Sequence, residues 1–406
     1  MLRIGAAKSY SFCSCLVLGS RMISQRAQSI SPSPTLGITS TAKRLKREGR
    51  DVVNFGAGEP DFPTPENIKM AAVKAINENI TYYTPTAGIE ELRQAIADKL
   101  RRCNGVSYEP SEIVVSCGGK HSLYNIMQVL LNPGDEALLI APYWVSYLEQ
   151  IKLAGAQPRL VQTGEENKID LDELKELITE RTRLLVLNSP SNPAGTVLSH
   201  SELKSIADVV VERGLWVVSD EVYEAFVYDG SRHISIASLG EEVKARTVIS
   251  NAFSKTYSMT GWRIGYTAGP KEVAEAIGRL QDHMTSNPTS IAQMAALEAL
   301  KGPQTSVRNM IEAFDKRRRL MVSRLNEMRN VECHMPKGAF YAFPNIQSTG
   351  LSSMQFSDRL LREALTAVVP GIAFGRDGNV RLSYATSTQE IERGMDRMER
   401  FCRGLG

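Results

Sequence analysis

Between residues 110 and 270, short apolar runs of strand length alternate with segments of helix length. Seven runs rich in branched aliphatic residues are predicted strands: EIVVS (112–116), EALLIA (136–141), QPRLVQT (157–163), TRLLVLN (182–188), LWVVSD (215–220), RTVISN (246–251) and RIGYTAG (263–269). Continuous apolar strands separated by helices are typical of a mostly parallel sheet covered on both faces. Only a short turn joins the last two runs, so we expect one of them to be antiparallel.

Helix signals complete this pattern. The segment SHSELKSIADVVVERG opens with Ser199 and closes at Gly214, the order expected for an N-cap serine and a C-terminal glycine. After residue 300 a long helix, SVRNMIEAFDKRRRLMVSRLNEM, precedes the short strands AFYAF and NVRLSYA. Its KRRR run (316–319) is interpreted as a solvated helix face rather than a basic patch.

These elements predict an α/β protein with two domains. A large domain over 63–299 carries the mostly parallel, seven-stranded sheet flanked by helices. The pattern after residue 300 predicts a small α+β domain over 300–406, to which the family resemblance given below adds 31–62. Residues 1–30 are an N-terminal extension or follow from a mis-assigned start.

Composition leaves a small molecule as the default ligand. The chain has 406 residues, of which 42% are hydrophobic and 23% charged, and these values are ordinary for a globular protein. A formal net charge of +3 gives no electrostatic case for nucleic acid. Six cysteines include no C-x-x-C pair and only five histidines are present, so we expect neither a metal nor a disulfide framework.

The first thirty residues contain Arg3, Lys8, Arg21 and Arg26 but no acidic residue. This composition fits an organellar transit peptide. The alternative, which we favour, is that translation begins at Met22. The apolar run FCSCLVLG is too short to span a membrane. We therefore expect a cytoplasmic protein, with an organelle as the alternative if residues 1–21 are a transit peptide.

Two glycine-containing loops resemble nucleotide-binding motifs but depart from them. GAGEPD (56–61) lacks the third glycine of a dinucleotide fingerprint, and Pro60 stands where the helix should open. VSCGGKHS (115–122) lacks the first glycine of a Walker A loop, and His121 replaces the hydroxyl residue. The second loop still joins a strand to a helix through Gly118 and Gly119, where backbone amides can bind phosphate.

A single lysine, Lys255, lies in the stretch SNAFSKTYSMTGWRIGY (250–266). Lysines that react with carbonyl groups need a lowered pKa and a positioned partner. Asp220 ends a predicted strand, Tyr223 follows it, and Asn192 lies in a loop after another strand. In open α/β sheets, ligands bind at these carboxyl ends. The sequence thus predicts one site around Lys255.

Eight motifs in order carry a resemblance to a known family: GEPDF, YYTPTAGIEELR, GGKHSLYN, PYWVSY, NSPSNPAG, SDEVYEAF, SKTYSMTGWRIGY and VRLSYA. From about Pro32 to the C-terminus, the chain resembles the fold type I, class I pyridoxal-phosphate aminotransferases, and within them the aspartate and aspartate/prephenate subgroup. The resemblance implies a homodimer that transfers an amino group between L-aspartate and 2-oxoglutarate in amino-acid biosynthesis.

The resemblance also implies the catalytic roles. Lys255 would bind pyridoxal 5′-phosphate covalently and then move a proton between substrate and cofactor. Asp220 would pair with the protonated pyridine nitrogen and keep the ring an electron sink. Tyr223 and Asn192 would hydrogen-bond the phenolic oxygen of the ring. Trp144 would stack on the ring face.

The phosphate is expected to bind Gly118, Gly119, Ser254 and Arg263, together with Tyr83 of the partner subunit. One departure concerns this group of residues. Many relatives carry a serine ligand three residues before the lysine, where this chain has Ala252. Ser254 or a backbone amide is the expected substitute.

For the substrate, the resemblance implies that Arg381 binds the α-carboxylate as a bidentate pair. Lys120 would meet the distal carboxylate of aspartate. Gly58, Glu59 and Thr35 match substrate-binding positions, and Trp144 and Asn192 would also contact the substrate. Glu59 and Thr35, with Lys120, occur in relatives that accept prephenate.

Other interpretations stay open on these residues. The same lysine and aspartate serve lyases and decarboxylases, and other aminotransferases use aromatic or neutral amino acids. A non-catalytic regulator on this fold would carry a DNA-binding module, and no helix-turn-helix segment precedes Pro32. Conversion of the bound cofactor by aspartate alone would distinguish an aminotransferase from a lyase.

Overall fold

The computed structural model describes residues 23–32 and 34–405. The chain divides into two compact units, Met1–Ser31 and Pro32–Gly406. In the first, a short helix α1 (Gln25–Gln28) is N-capped by the Ser24 side chain. Residues 1–21, which are a transit peptide only in the alternative interpretation, lie outside the described residues. All further elements belong to the second unit.

The strands are short and mostly buried. They are β1 Val53–Asn54, β2 Ile113–Ser116, β3 Glu136–Ile140, β4 Gln157–Val161, β5 Thr182–Asn188, β6 Trp216–Asp220, β7 Thr247–Ala252, β8 Gly265–Ala268, β9 Tyr341–Ala342, β10 Thr366–Ala367, β11 Val369–Pro370 and β12 Val380–Ser383. The seven predicted strands correspond to β2–β8, with ends that differ by at most two residues.

The large sheet has the strand order β2-β8-β7-β6-β5-β3-β4. Strands β3 to β7 pair in parallel with their neighbours, whereas β8 is antiparallel to both β7 and β2. The predicted α/β class with a seven-stranded, mostly parallel sheet is therefore confirmed, as is the one reversed strand. Because β2 and β3 to β7 point the same way, their carboxyl ends share one edge of the sheet.

Helices cover both faces of this sheet and form the rest of the unit. They are α2 Pro34–Arg47, α3 Glu66–Asn77, α4 Glu90–Lys99, α5 Gly119–Leu130, α6 Val145–Leu153, α7 Leu171–Glu176, α8 His200–Arg213, α9 Glu241–Lys244, α10 Phe253–Thr256, α11 Lys271–Asp282, α12 Ser290–Lys301, α13 Thr305–Asn326, α14 Ser353–Ala364 and α15 Thr388–Arg403. As predicted, Ser199 caps α8 with a reciprocal Glu202 contact, and Gly214 ends it in the left-handed conformation.

The C-terminal third builds smaller sheets. The two predicted strands become β9 and β12, which pair antiparallel with Ser383 opposite Tyr341, and β11 flanks β12. Strand β10 instead pairs in parallel with β1 near the start of the chain. The boundaries at 62/63 and 299/300 that we assigned to a small and a large domain stay predictions.

One residue of the KRRR run on α13 departs from the solvated face that the composition predicts, while Lys316 and Arg319 are exposed as expected. Arg318 is fully buried, where it forms ion pairs with Asp229 and Asp315 and lies 4.6 Å over the ring of Tyr228. Its interpretation as a solvated face is therefore wrong at this residue. Acidic partners and an aromatic ring replace the water that a buried guanidinium loses. Among the described residues, no helix is long and apolar enough to span a bilayer.

Candidate active site

A cavity of about 390 Å³ opens at the carboxyl edge of the large sheet. Residues at or after the ends of β2, β3, β5, β6 and β7 line it, including Gly119, Trp144, Asn192, Asp220 and Lys255. The loop 56–61, which fails as a dinucleotide fingerprint, contributes a further wall. The topology therefore places most of the predicted site residues in one cavity.

Lys255 lies on α10, directly after β7. Its Nζ donates a hydrogen bond to the carbonyl oxygen of Gly58 over 2.6 Å. Burial lowers the pKa of Lys255 to about 8, and Arg381 and Arg263 add to this effect, while Glu59 and Asp220 act against it. The amine is therefore more easily deprotonated than an exposed lysine.

Asp220 is the last residue of β6, and it is buried. Its Oδ2 accepts a hydrogen bond from the hydroxyl of Tyr147 over 2.5 Å, and its Oδ1 accepts one from the amide of Val222 over 3.2 Å. Burial raises the pKa of Asp220 to about 6, against the effect of these donors. Tyr147, on α6, is a site residue that sequence reasoning missed, although it ends the motif PYWVSY.

A second group joins three parts of the chain around Arg381 on β12. One guanidinium nitrogen donates to Asn192 Oδ1 and the other to the carbonyl of Gly56, each over 2.9 Å. The guanidinium lies 4.4 Å from the ring centre of Tyr341, whose hydroxyl is 2.8 Å from that of Tyr223. Sequence reasoning also missed Tyr341, which it placed only on the strand AFYAF.

Arg381 has no acidic partner among the described residues, although burial lowers its pKa. Its Nε is buried without a hydrogen-bond partner. A buried cation in this state suits an anionic ligand that enters the cavity. Because Asn192 uses its oxygen to accept from Arg381, its amide NH₂ is the group left to donate into the cavity.

The turn before α5 is built for close approach. Gly118 has φ 88°, and a Cβ there would come within 2.5 Å of the Arg263 guanidinium. Gly119 begins the twelve-residue α5, and a Cβ on it would lie 3.1 Å from the Cβ of Ala252. Arg263 is held in the left-handed conformation by its turn and donates to the Thr260 carbonyl over 3.0 Å. Ser254 lines the same cavity.

Further charged side chains line the mouth. The Lys120 ammonium lies 5.0 Å from the ring centre of Trp144, and burial, then the Arg263 charge, lowers its pKa. Glu59 accepts a hydrogen bond from the Thr260 hydroxyl over 3.0 Å. Lys43, on α2, also lines the cavity, and sequence reasoning missed it because no motif surrounds it.

Of the predicted residues whose side chains are described, Tyr83 and Gly118 do not line this cavity. The Tyr83 side chain is 90% exposed and does not line it. Thr35 lies in α2, but its side chain is outside the described part of the structure. Gly118 lies beneath Arg263, next to the lining residues.

Comparisons with known proteins agree on one family. The sequence model of the family "Aminotransferase class I and II" matches residues 50–398. The aspartate aminotransferase of Geobacillus stearothermophilus is 48% identical over 93% of this chain and 98% of its own. The aspartate/prephenate aminotransferase of Cereibacter sphaeroides is 45% identical over 93% and 97%.

The fold agrees as well. A solved structure of the aspartate aminotransferase of Thermus thermophilus with maleate has a TM-score of 0.90 against this chain. It is 41% identical, and the match covers 94% of this chain and 99% of that protein.

Proposed function

The chain belongs to the class I and II aminotransferases, and from this premise we propose that it is a pyridoxal-phosphate-dependent aspartate aminotransferase. It would transfer the amino group between L-aspartate and 2-oxoglutarate, forming oxaloacetate and L-glutamate. One observation carries the substrate assignment. Arg381 and Lys120, two cations without an acidic partner among the described residues, line the same cavity as Lys255.

The residues present fit the cofactor. The amides at the start of α5, the absence of a side chain at Gly118 and the adjacent Arg263 suit a phosphate. The buried carboxylate of Asp220 suits a protonated ring nitrogen, and the hydroxyl of Tyr223 suits a phenolic oxygen. When bound, pyridoxal phosphate supplies an aldehyde that accepts the amino group and a ring that takes up electrons.

The charge of the cavity fits a dianionic substrate beside a phosphate. Five cations, Lys43, Lys120, Lys255, Arg263 and Arg381, line it or its mouth, against the two acids Glu59 and Asp220. Arg381 would bind the α-carboxylate through its guanidinium, and Lys120 the distal carboxylate. The maleate in the structure of the Thermus relative is likewise a dicarboxylate.

The residues of this chain divide the work. Lys255, with a pKa of about 8, would accept the proton from the substrate α-carbon on Nζ and hold it there for the second half of the transfer. Asp220, held by Tyr147, would keep the ring nitrogen protonated. Arg381 and Lys120 would orient the substrate so that the broken bond faces Lys255.

Lys120→Ala tests the substrate assignment. Loss of one charge-assisted contact, about 1.5–3 kcal/mol, should lower kcat/KM for aspartate by roughly 10- to 100-fold. The value for L-alanine, which lacks the distal carboxylate, should change little. Both rates can be followed with 2-oxoglutarate as acceptor, and prephenate can replace it to test that acceptor. An unchanged kcat/KM for aspartate would remove Lys120 from the substrate site.

A homodimer belongs to the same proposal. Tyr83, exposed in the single chain, would reach the phosphate in the partner subunit's cavity. Its 90% exposure is the observation that supports this role, because a large aromatic side chain rarely stays in water without a partner surface.

A further inference from the structure

A second group of charged side chains lies next to the strand end that carries Asp220. We call it the Glu221 cluster, and it consists of Lys99, Asn104, Glu221, Glu224 and His233. The Glu221 side chain is 1% exposed and the His233 side chain 8% exposed. Lys99 and Glu224 are each 13% exposed. None of these residues lines the active-site cavity.

Donors surround the Glu221 carboxylate. Oε1 accepts hydrogen bonds from the hydroxyls of Ser219 over 2.9 Å and Ser235 over 2.6 Å. Oε2 accepts one from the Asn104 amide over 3.0 Å. Both oxygens of this buried carboxylate therefore have hydrogen-bond donors, as a buried acceptor requires.

Glu224 shares one of these donors. The same Asn104 amide donates to Glu224 Oε2 over 2.7 Å, and Lys99 pairs with Oε1. A π-helical turn, Leu100–Asn104, extends α4 and directs Asn104 between the two carboxylates. Such turns are rare and frequently occur at functional sites.

His233 completes the cluster. Its Nε2 lies 3.1 Å from Glu221 Oε2. Burial acts against protonation, but the Glu221 and Glu224 carboxylates outweigh burial and the Lys99 charge, so the pKa of His233 is raised. Other titratable groups also lie near the two carboxylates. They include Tyr108, Tyr257 and Tyr266, whose pKa values are raised by burial first, and Asp220, whose pKa is raised by burial first and also by Glu221.

A metal ion is a poor explanation for this cluster. Glu221, Glu224 and His233 offer three ligand atoms within 4.8 Å of one another. However, all four carboxylate oxygens already accept hydrogen bonds, and the Lys99 ammonium occupies the side from which a cation would bind Glu224. A count of charges points elsewhere. Two buried carboxylates face one ammonium, so the cluster is neutral only when His233 is an imidazolium.

The cluster reaches the active site through Asn251. The Asn251 amide donates to Glu224 Oε1 over 2.8 Å, and its oxygen accepts from the Ala252 amide over 2.7 Å. Asn251 lines the cavity three residues before Ser254. The backbone carbonyl oxygen of Asn251 would lie 2.9 Å from a Cβ on Gly265 and 3.7 Å from a Cβ on Gly119. The backbone of Asn251 therefore packs against the two glycines beside the expected phosphate position.

We propose that the Glu221 cluster is a positioning network in which protonated His233 balances the second carboxylate, so that Glu224 holds Asn251 and the phosphate side of the cofactor site. His233 would act through Asn251 and would not touch substrate or cofactor. The phosphate role rests on the proposed function, whereas the protonation state of His233 does not.

The sign of the pH dependence follows from the raised pKa. A histidine whose pKa is higher in the folded state stabilises the fold below its ordinary value of 6.5. That stability is lost as the pH rises through the folded-state pKa. The cofactor should therefore be held most tightly at mildly acidic pH, and less tightly as the pH rises above 6.5.

The first test uses the cofactor-free full-length protein labelled in its histidine side chains. Replacing His121, His200, His283 and His334 by glutamine leaves His233 as the one histidine, whose ring nitrogens report protonation by NMR. We expect the ring to be mostly protonated at pH 6.5 and to lose its proton only above that pH. A neutral ring at pH 6.5 overturns the proposal, whatever the enzyme's substrate.

The second test compares His233→Gln with His200→Gln, a control at an exposed position on α8. His233→Gln should weaken pyridoxal-phosphate binding about tenfold near pH 6, where the wild-type ring is charged, since Glu224 and Glu221 lose their balancing charge. The variant should also lose the fall in binding with rising pH, and kcat at saturating cofactor should stay near the control. Binding equal to the control at every pH overturns the proposal. If His233→Gln does not fold, the NMR titration of the first test still determines whether His233 is protonated, because it keeps this residue.

Discussion

At the scale of single residues, burial sets the chemistry of Lys255 and Asp220 in opposite senses. Burial lowers the pKa of the lysine to about 8 and raises that of the aspartate to about 6. Desolvation disfavours the charged form in both cases. The lysine is thereby prepared to accept a proton. The aspartate keeps an ionised form near neutral pH because Tyr147 and the Val222 amide donate to it.

The lowered pKa of Lys255 should therefore make the stability of the cofactor-free protein depend on pH. Below pH 8 the amine is charged in both states, and above 10.5 it is neutral in both. Between these values the unfolded chain binds more protons, so wild-type stability should rise with pH relative to Lys255→Met. A change from 10.5 to about 8 corresponds to about 3 kcal/mol. Urea unfolding from pH 7.5 to 10.5 measures the difference, and parallel curves for the two proteins would contradict it.

Lys43 should contribute to binding by charge alone. It lines the cavity mouth from an exposed position, so Lys43→Ala should raise KM for aspartate by about two- to fivefold with little change in kcat. The effect should shrink as salt is added, because exposed charges are screened. Lys46→Ala, on the same helix but outside the cavity, is the control. An increase in KM that persists at high salt would point to a specific contact instead.

The residues that sequence reasoning missed show which parts of the site a single sequence can predict. Lys255, Asp220 and Asn192 were predictable because each follows a recognisable strand inside a motif. Tyr341 contacts Tyr223, which lies 118 residues away in the sequence. Tyr147 contacts Asp220, which lies 73 residues away. Such pairings depend on the packed fold, and a single sequence does not specify them.

At the scale of elements, the turn before α5 and the first residues of α5 together form the expected phosphate-binding site. Gly118 provides the left-handed turn and leaves room for the Arg263 guanidinium above it. The helix that follows has a positive end and free amides, which suit a phosphate.

Gly118→Ala should therefore weaken cofactor binding far more than it destabilises the fold. The new Cβ would lie 2.5 Å from the Arg263 guanidinium. The Arg263 side chain can move to relieve this contact, but it would then leave the position in which we expect it to bind the phosphate. Gly134→Ala is a matched control, because Gly134 has φ 91° and nothing within 4 Å of its Cβ position. Both variants should lose about 1–2 kcal/mol of stability. Only Gly118→Ala should raise the Kd for pyridoxal phosphate, by tenfold or more, which corresponds to a loss of ~1.4 kcal/mol or more of binding free energy. Equal Kd values for the two variants would contradict this expectation.

Helix α13 marks the limit of pattern reasoning for elements. Its length and position were predictable from the sequence pattern. The short connection between the last two strands likewise predicted that one of them is reversed, but not that this strand is β8. The burial of Arg318 was not, because Asp229, its ion-pair partner, lies 89 residues earlier in the chain. A run of basic residues normally faces water, and only tertiary contacts overturn that expectation.

At the scale of the whole molecule, several large apolar side chains that are close in sequence are exposed to solvent. Met70, Val73 and Ile76 form a stripe on α3, and Tyr82 and Tyr83 follow in the next loop. Side chains three residues apart lie on one face of a helix, so the stripe is continuous. This surface agrees with the proposed homodimer.

Mixed dimers test whether the site is shared. Lys255→Ala and Tyr83→Ala subunits should each be strongly impaired alone. When the two are unfolded and refolded together, half of the dimers should be hybrids with one complete site. Activity should then recover to about a quarter of the wild-type value. Activity that stays at the mean of the two parents would place Tyr83 outside the partner's site.

The central claim, that Lys255 holds pyridoxal phosphate in an aspartate aminotransferase, is tested most directly by one absorbance experiment. The protein is saturated with cofactor, and L-aspartate is added without any keto acid. We predict that the long-wavelength band of the lysine-bound cofactor is replaced by a shorter-wavelength band, and that 2-oxoglutarate restores it. A band that aspartate leaves unchanged, or that never forms on the wild-type protein while Lys255→Ala behaves identically, would contradict the account.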